Sequence, residues 1–358
     1  MTFTLNEEQR LLKDAARDFC REQAPVTRFR KMRDEKKNGR DPDLWREMAQ
    51  MGWAGILVPE DYGGAGLGYV GLGAVLEETG RTLAASPLLS TAMIGASALM
   101  HGGSDEQKAE WLPRIAAGQA IVALAVDEGA HHAPGASALA LNGGKLSGKK
   151  TYVADGHIAD LLIAAGAEGA YLVRADADGV SRKELITVDS RGAADLTFAN
   201  AEAAPLGGGG KLVEGILDRA RIGLAAEMLG QAQQAFEVTG EYLKTRKQFG
   251  QVIGGFQALQ HRAAKMFTDL ELTRSCVYAA LDALDQGADD IAEWASLAKA
   301  RASETLHLVS NEFVQMHGGI GMTDEHDAGL FLKRARVAEG LYGGAAFHRD
   351  RYARLCGY

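Results

Sequence analysis

The stretch LDRARIGLAAEMLGQAQQAFEVTGEY, residues 217–242, predicts one long helix. Apolar or small residues recur along it every three or four positions, at Leu217, Ala220, Leu224, Met228, Ala232, Ala235, Thr239 and Tyr242. Similar spacing continues from about 256 to 281 and from about 290 to 316, and no proline follows Pro205. Because long helices bury their apolar faces against one another, we expect residues 206–358 to form a four-helix bundle.

The pattern changes ahead of that bundle. Short β-prone runs lie at 121–125, 150–153, 161–163 and 185–188, and Asn142-Gly143 is typical of a hairpin turn. We therefore expect a small β-barrel domain over residues 119–205. Residues 1–118 have helical spacing, and Asn6 followed by Gln9 indicates a capping box at the first helix. The predicted fold class is mainly α, with a small β-barrel between an α-helical domain and the bundle.

Composition excludes several kinds of protein. Lysine plus arginine number 39 against 47 aspartates plus glutamates, a net charge of −8, so the chain lacks the basic excess that nucleic acid requires. No run approaches the roughly 20 apolar residues of a membrane span. The opening residues lack the features of a signal peptide, and Cys20, Cys276 and Cys356 are far apart, which predicts a cytoplasmic protein without disulfides. Adjacent residues on a strand point to opposite faces, so His131-His132 does not predict a metal site.

Two motifs in the C-terminal part resemble those of the acyl-CoA dehydrogenase family. YLKTRKQFG, residues 242–250, with Phe256-Gln257 downstream, is similar to the family's R-x-x-F-G…Q stretch. QMHGGIG, residues 315–321, is similar to the family's Q-x-x-G-G-x-G turn. The order of helical, β and helical segments agrees with the resemblance, which covers nearly the whole chain. It implies an acyl-CoA dehydrogenase fold and FAD-dependent α,β-dehydrogenation of an acyl-CoA thioester.

The chemistry of the two motifs suits a nucleotide. Arg246 carries a planar fork of donors that matches a pyrophosphate, and Gly318-Gly319 lets backbone amides approach a charged ligand closely. The resemblance implies that both motifs hold the ADP half of FAD and reach the flavin of a neighbouring subunit. The implied cofactor contacts are Arg246, Gln248, Phe249, Phe256, Gln257, Gln315, Gly318 and Gly319. The plainer interpretation makes Arg246 a surface helix end and the diglycine a helix connector.

The base expected from the resemblance is missing. The family takes the substrate α-proton with a glutamate, at one of two positions. The first, in a C-terminal turn, corresponds to Gly343, or to Tyr342 if no residue is inserted, and the second, in a helix, corresponds to Ala220. None of these is a carboxylate. Glu339 and Glu227 lie near these positions and are candidates for a relocated base, although a structural or solvated role is the alternative for each.

The β segment departs from the family pattern as well. Asp127 occupies the position implied to face the flavin, where the family has a small hydroxyl residue, and a carboxylate there would repel reduced flavin. Tyr152 replaces a stacking tryptophan, and Ala154 replaces a hydroxyl residue. The resemblance implies substrate contacts at Asp218 and Arg221, with an ion pair as the alternative for Arg221.

These departures predict a subunit that keeps its FAD-binding motifs and contributes them to an active site shared with another subunit. The chain resembles the small, base-lacking subunits of heteromeric acyl-CoA dehydrogenases of the pimeloyl-CoA and steroid side-chain types. We expect a larger related subunit as partner in a heterotetramer and, by resemblance, an electron-transferring flavoprotein as acceptor. The alternatives are a self-sufficient homotetramer with a relocated base, a structural subunit that binds neither flavin nor substrate, and a flavin monooxygenase on the same fold.

Overall fold

The computed structural model describes residues 5–358, so the prediction for the opening residues 1–4 lies outside the described part. The α-helices are α1 (Glu7–Gln23), α2 (Val26–Asp34), α3 (Pro42–Gln50), α4 (Gly68–Arg81), α5 (Ala96–Gly102), α6 (Asp105–Ala116), α7 (Gly209–Thr245), α8 (Gln257–Gln286), α9 (Ile291–His317), α10 (Ala328–Gly340) and α11 (Ala345–Leu355). The strands are β1 (Val122–Ala125), β2 (Ala140–Asn142), β3 (Lys145–Ala154), β4 (Leu161–Ala165), β5 (Ala170–Arg174), β6 (Val180–Leu185), β7 (Ala193–Glu202), β8 (Ala204–Pro205), β9 (Lys247–Gln248) and β10 (Gln251–Val252). Single 3₁₀ turns lie at Trp53–Gly55, Glu60–Tyr62, Ile253–Gly255 and Gly318–Met322, and a π-helical stretch lies at Leu89–Gly95.

The first helix begins as predicted. The N–H of Gln9 donates to Asn6 Oδ1 at 2.8 Å, and the N–H of Asn6 donates to Gln9 Oε1 at 3.1 Å. This reciprocal pair satisfies backbone donors that a helix N-terminus leaves without partners, which confirms the capping box.

The β segment forms two four-stranded sheets. One has the order β1-β4-β5-β8, with β1 parallel to β4, and the other is the antiparallel sheet β2-β3-β7-β6. The hairpin between β2 and β3 is confirmed, but its two turn residues are Gly143 and Gly144, with φ of +55° and +78°. Asn142 is the last residue of β2 and pairs with Lys145, so the turn lies one residue later than Asn142-Gly143.

Both sheets contribute to one hydrophobic core. Leu146 and Phe198 come from the antiparallel sheet, Leu162 and Val173 come from the other, and all four are almost completely buried. Burial of such side chains stabilises each by roughly 1.5–3 kcal/mol relative to an exposed side chain. Burial of this shared core therefore holds the two sheets together.

Contacts group the chain into two compact units. One comprises the chain through Phe29, Gly73–Ala84 and Arg221–Tyr358, and the other comprises Arg30–Leu72 and Ala85–Ala220. In the first unit, α9 packs against α8, α10 and α11. The predicted boundaries after residues 118 and 205 stay a prediction.

The predicted mainly α fold with a β domain between helical segments is confirmed, but the β-prone run predicted at 185–188 does not form a strand beyond its first residue. β6 ends at Leu185, and Ile186 is 90% exposed in the loop that follows. The chain turns there because Thr187 accepts hydrogen bonds from the N–H groups of Ser190 and Gly192. Within residues 5–358, no helix is long and apolar enough to cross a membrane. The same residues contain no group of three or more His, Cys, Asp or Glu placed to hold a metal ion.

Candidate functional site

The first cofactor motif forms a short exposed hairpin after α7. β9 and β10 pair antiparallel, and the turn between them has both central residues in the left-handed region, Phe249 at φ +50° and Gly250 at φ +78°. Such a turn matches the natural twist of a two-residue hairpin. It places the Phe249 ring 90% exposed, an unusual position for an aromatic side chain, with Arg246 and Gln248 also exposed.

The base of the hairpin is well held. The N–H of Ile253 donates to the carbonyl of Arg246 at 2.9 Å, and the rings of Phe249 and Phe256 meet edge to face at 6.1 Å. α8 then starts at Gln257, and the N–H groups of Leu259 and Gln260 donate to the Phe256 carbonyl at 3.0 and 3.1 Å. The backbone is therefore fixed while the polar and aromatic side chains face outward.

The second motif forms the turn after α9. Gly318 has φ +63° and ψ −137°, a combination essentially restricted to glycine. No described atom lies within 4 Å of a Cβ placed on Gly318 or Gly319, and Gln315 on the last turn of α9 is exposed. The diglycine thus leaves open space beside the backbone, and its role as a cofactor contact stays a prediction.

Tyr242 and His317 bring the two motifs together. Their rings stack at 4.2 Å, and the Tyr242 hydroxyl donates to the His317 carbonyl at 3.4 Å. His317 Nδ1 donates in turn to the Phe313 carbonyl at 2.7 Å. Burial lowers the pKa of His317, against the opposing effect of that carbonyl, so the ring is neutral near pH 7. Both residues belong to the quoted motifs, but nothing in the sequence indicates that they contact each other.

The turn between α10 and α11, where the family keeps a base, is closed. Tyr342 is buried with φ +57°, and Gly343 has φ +106°. A Cβ on Gly343 would lie 2.5 Å from the Phe347 ring and 2.9 Å from His348 Nε2, closer than real contacts allow. The position therefore has no carboxylate and no space for a larger side chain in this conformation.

Three fully buried basic side chains donate to this turn. Arg221 Nε and His348 Nε2 reach the carbonyl of Tyr342 at 3.2 and 3.1 Å, and Lys299 Nζ reaches the carbonyl of Gly343 at 3.1 Å. Burial, with the nearby charges of Arg221 and Lys299, lowers the pKa of His348 to about 2, so its ring is neutral. Sequence analysis singled out Arg221 but missed Lys299 and His348, because nothing in their local sequence shows that they are buried.

Both candidate glutamates already have partners. Glu227 is buried, and its Oε1 accepts from Arg334 Nε at 3.1 Å and Nη2 at 2.9 Å. Glu339 pairs with Arg336, and its Oε2 lies 3.1 Å from His307 Nδ1, at an open cleft of about 560 Å³. Each carboxylate is thus engaged in an ion pair with a neighbouring side chain.

The two positions on α7 are both buried. Ala220 is fully buried, and Asp218, the other implied substrate contact, is 4% exposed. The family's helical base position therefore carries a methyl group within the packed interior.

In the loop after β1, Asp127 is held by hydrogen bonds within the loop. Both carboxylate oxygens of Asp127 lie within 3.1 Å of His132 Nδ1, and one of them also accepts from the N–H of Ala133. Tyr152 lies at an irregularity of β3 with φ +51° and 40% of its surface exposed, and its N–H donates to Asp195. Ala154 is half-buried at the end of β3.

Glu128, next to Asp127, holds a buried lysine. Lys150 Nζ donates to Glu128 at 2.7 Å, to the Val126 carbonyl at 2.8 Å and to Ser137 Oγ at 3.1 Å. Burial alone would raise the pKa of Glu128, but Lys150 and Ser137 lower it to about 2. This network fixes the loop against β3, and sequence analysis did not find it.

An exposed hairpin and an open diglycine turn in contact through Tyr242 form an arrangement suited to a nucleotide cofactor. Two family models match the chain: the acyl-CoA dehydrogenase N-terminal domain over residues 6–119 and the acyl-CoA dehydrogenase C-terminal domain over residues 207–356. The chain belongs to the acyl-CoA dehydrogenase family of flavin-dependent oxidoreductases, and its cofactor is FAD.

Individual relatives match this chain over nearly its full length. Acyl-CoA dehydrogenase IpdE2 of Mycolicibacterium smegmatis is 32% identical over 345 residues, 95% of this chain and 96% of that protein. A solved structure of the Tcur3481-Tcur3483 steroid ACAD G363A variant is 34% identical, with a TM-score of 0.91 over 99% of this chain and 98% of that chain. The ChsE4-ChsE5 complex of Mycobacterium tuberculosis contains a chain that is 27% identical, with a TM-score of 0.90 over the full length of both chains. The chain is therefore an oxidoreductase of the acyl-CoA dehydrogenase type.

Proposed function

We propose that this chain is the base-lacking subunit of a heteromeric acyl-CoA dehydrogenase. It lends its cofactor motifs to an active site completed by a larger subunit of the same family, and that partner supplies the glutamate that removes the α-proton of the thioester. Two of the similar solved structures are named for two proteins each, Tcur3481-Tcur3483 and ChsE4-ChsE5, and the second is described as a complex. These names support a heteromeric assembly.

The turn at Tyr342-Gly343 is the observation that carries the proposal. Deprotonation next to a thioester needs a carboxylate with freedom to face the substrate and a pKa near the working pH. Gly343 offers no side chain, and Ala220, the alternative position, offers a buried methyl group. Glu227 and Glu339 already form ion pairs with Arg334 and Arg336.

The outward-facing motifs fit the cofactor's nucleotide half. FAD, when bound, would supply the hydride acceptor for α,β-dehydrogenation of the thioester. The exposed guanidinium of Arg246 would bind the pyrophosphate, with the open backbone at Gly318-Gly319 approaching the same anion. Phe249 would cover apolar cofactor surface, which accounts for an aromatic ring held in solvent on a rigid turn.

The β loop supports the same division of labour. Asp127 is fixed by His132 and Ala133, at the position where the family pattern has a neutral hydroxyl. Two like charges 4 Å apart repel by roughly 4 kcal/mol at an effective dielectric constant near 20. A reduced flavin facing this carboxylate would be disfavoured, so the chain supports a flavin better through its bundle motifs than through its own β loop.

Co-expression with a larger member of the family that keeps the glutamate tests the proposal. We expect the isolated chain to hold little FAD and to show no acyl-CoA turnover with ferrocenium as acceptor, and the complex to show both. Arg246→Lys should lower the FAD content of the complex, because an ammonium cannot match the guanidinium fork. Lys265→Ala, an exposed change on α8, is the control. Strong FAD binding and turnover by the isolated chain would refute the proposal in favour of a self-sufficient homotetramer.

The natural electron acceptor is tested in the same complex. We propose an electron-transferring flavoprotein for this role, supported by the family resemblance. Replacing ferrocenium with such a flavoprotein should sustain turnover, whereas rapid reoxidation by oxygen alone would favour the monooxygenase alternative. Normal FAD content and turnover with Arg246→Ala would favour a structural subunit.

A further inference from the structure

Lys299 is a fully buried lysine on α9 that the proposed reaction does not use. Its Nζ lies 3.1 Å from each of three oxygens: Ser303 Oγ on the same helix and the carbonyls of Glu339 and Gly343. An ammonium group has three N–H donors and no acceptor, so this geometry uses every donor of the protonated form. Two of the three acceptors bracket the turn between α10 and α11.

The titratable and charged groups nearest Lys299 lie on α7, α10 and α11. Arg221 lies on α7, Arg334 and the Glu339 carboxylate lie on α10, and the neutral ring of His348 lies on α11. Burial lowers the pKa of Lys299 to about 7; the carboxylate of Glu339 raises it, and the two arginines lower it further. Both the protonated and the neutral form of the Lys299 side chain are therefore populated near pH 7.

We propose that Lys299 is a positioning residue that pins the 341–344 turn closed, and that loss of its proton loosens the turn. A neutral amine keeps two N–H donors for the two carbonyls and can accept from the Ser303 hydroxyl, but its hydrogen bonds to the carbonyls lose their charge assistance and weaken when the proton leaves. The Gly343 carbonyl is buried, and a poorly paired acceptor in such a place is costly. The inference rests on the proposed function, since it explains why this turn carries no base and does not readily accept one.

Hydrogen exchange of the full chain tests the pin directly. At pH 6, Lys299→Gln should exchange the amides of residues 341–344 at least about tenfold faster than the unaltered protein, because glutamine cannot supply three donors. Lys333→Gln, at an exposed lysine on α10, should change nothing. Between pH 6 and 8.5, exchange corrected for its intrinsic base catalysis should rise in the unaltered protein and stay flat in Lys299→Gln.

Equal exchange in the two proteins at pH 6, or the same pH-dependent rise in both, would overturn the assignment. If Lys299→Gln does not fold, the profile of the unaltered protein decides alone, and flat corrected rates between pH 6 and 8.5 contradict the pin. Merely structural packing by Lys299 would not produce a rise that depends on this one amine.

Gly343→Glu provides a second test, with Gly343→Ala as the matched control for the added Cβ. Both should destabilise the chain to a similar degree, and Gly343→Glu should gain no acyl-CoA turnover. Activity of the unaltered isolated chain would refute the proposed function. An inactive parent with an active, normally stable Gly343→Glu variant would overturn only the closed turn.

Discussion

Replacing Glu227 by glutamine leaves Arg334 in the interior without its carboxylate. Both side chains are 6–7% exposed, and the glutamate accepts two hydrogen bonds from the guanidinium at 3.1 and 2.9 Å. Removing one member of a buried pair costs about 3–5 kcal/mol, and the glutamine oxygen retains one acceptor, so we expect a loss near 3 kcal/mol. For a unit of this size, that loss lowers the melting temperature by roughly 6–12 °C.

Thermal and urea unfolding of the full chain measure this loss. Glu237→Gln is the matched control on the same helix: Glu237 pairs with Arg81 but is 44% exposed, so its removal should cost less than about 1 kcal/mol. A Glu227→Gln chain with an unchanged melting temperature, whose complex with the larger subunit turns over at least about 100-fold more slowly, would refute the reasoning, because it would identify Glu227 as a base and not as a structural anion.

Two further predictions concern stability. Gly230→Ala should destabilise the chain by at least about 1–3 kcal/mol, because its Cβ would overlap the Glu77 carbonyl, whereas Gly240→Ala on the same helix meets open space and should be neutral or stabilising; urea midpoints compare the two. The low pKa of Glu128 predicts that its contribution with Lys150 is complete above about pH 4.5 and lost as the pH falls towards 2. Glu128→Gln should show a shallower decline of the urea midpoint between pH 5 and 2; a decline equal to that of the unaltered protein would contradict the assignment.

The sequence was most informative where local pattern and packing agree. α7, α8 and α9 follow the apolar spacing, although α7 begins at Gly209, ahead of the start predicted at Leu217. The apolar run at 185–188 misled the strand prediction because periodicity cannot distinguish a buried strand from an exposed apolar loop.

The site was predictable to the extent that its residues lie in contiguous motifs. The hairpin and diglycine residues came from the sequence, and the structure brings them together through Tyr242. The burial of Lys150 and Lys299 could not be predicted from the sequence. Except for Ser303, which is four residues from Lys299, their hydrogen-bond partners lie 13–44 residues away, and only the tertiary fold makes those contacts. The departures at Ala220 and Gly343 were readable, but the closure of the turn depends on Phe347 and His348 packing against it.

The outward-facing hairpin at Phe249 has a practical consequence for purification. On the proposed function, each nucleotide-binding surface becomes complete only when a second polypeptide covers it, so cofactor retention follows mass action between subunits. Diluting the yellow complex below its subunit dissociation constant should release flavin and restore its free fluorescence, and concentrating the sample with added FAD should reverse the change.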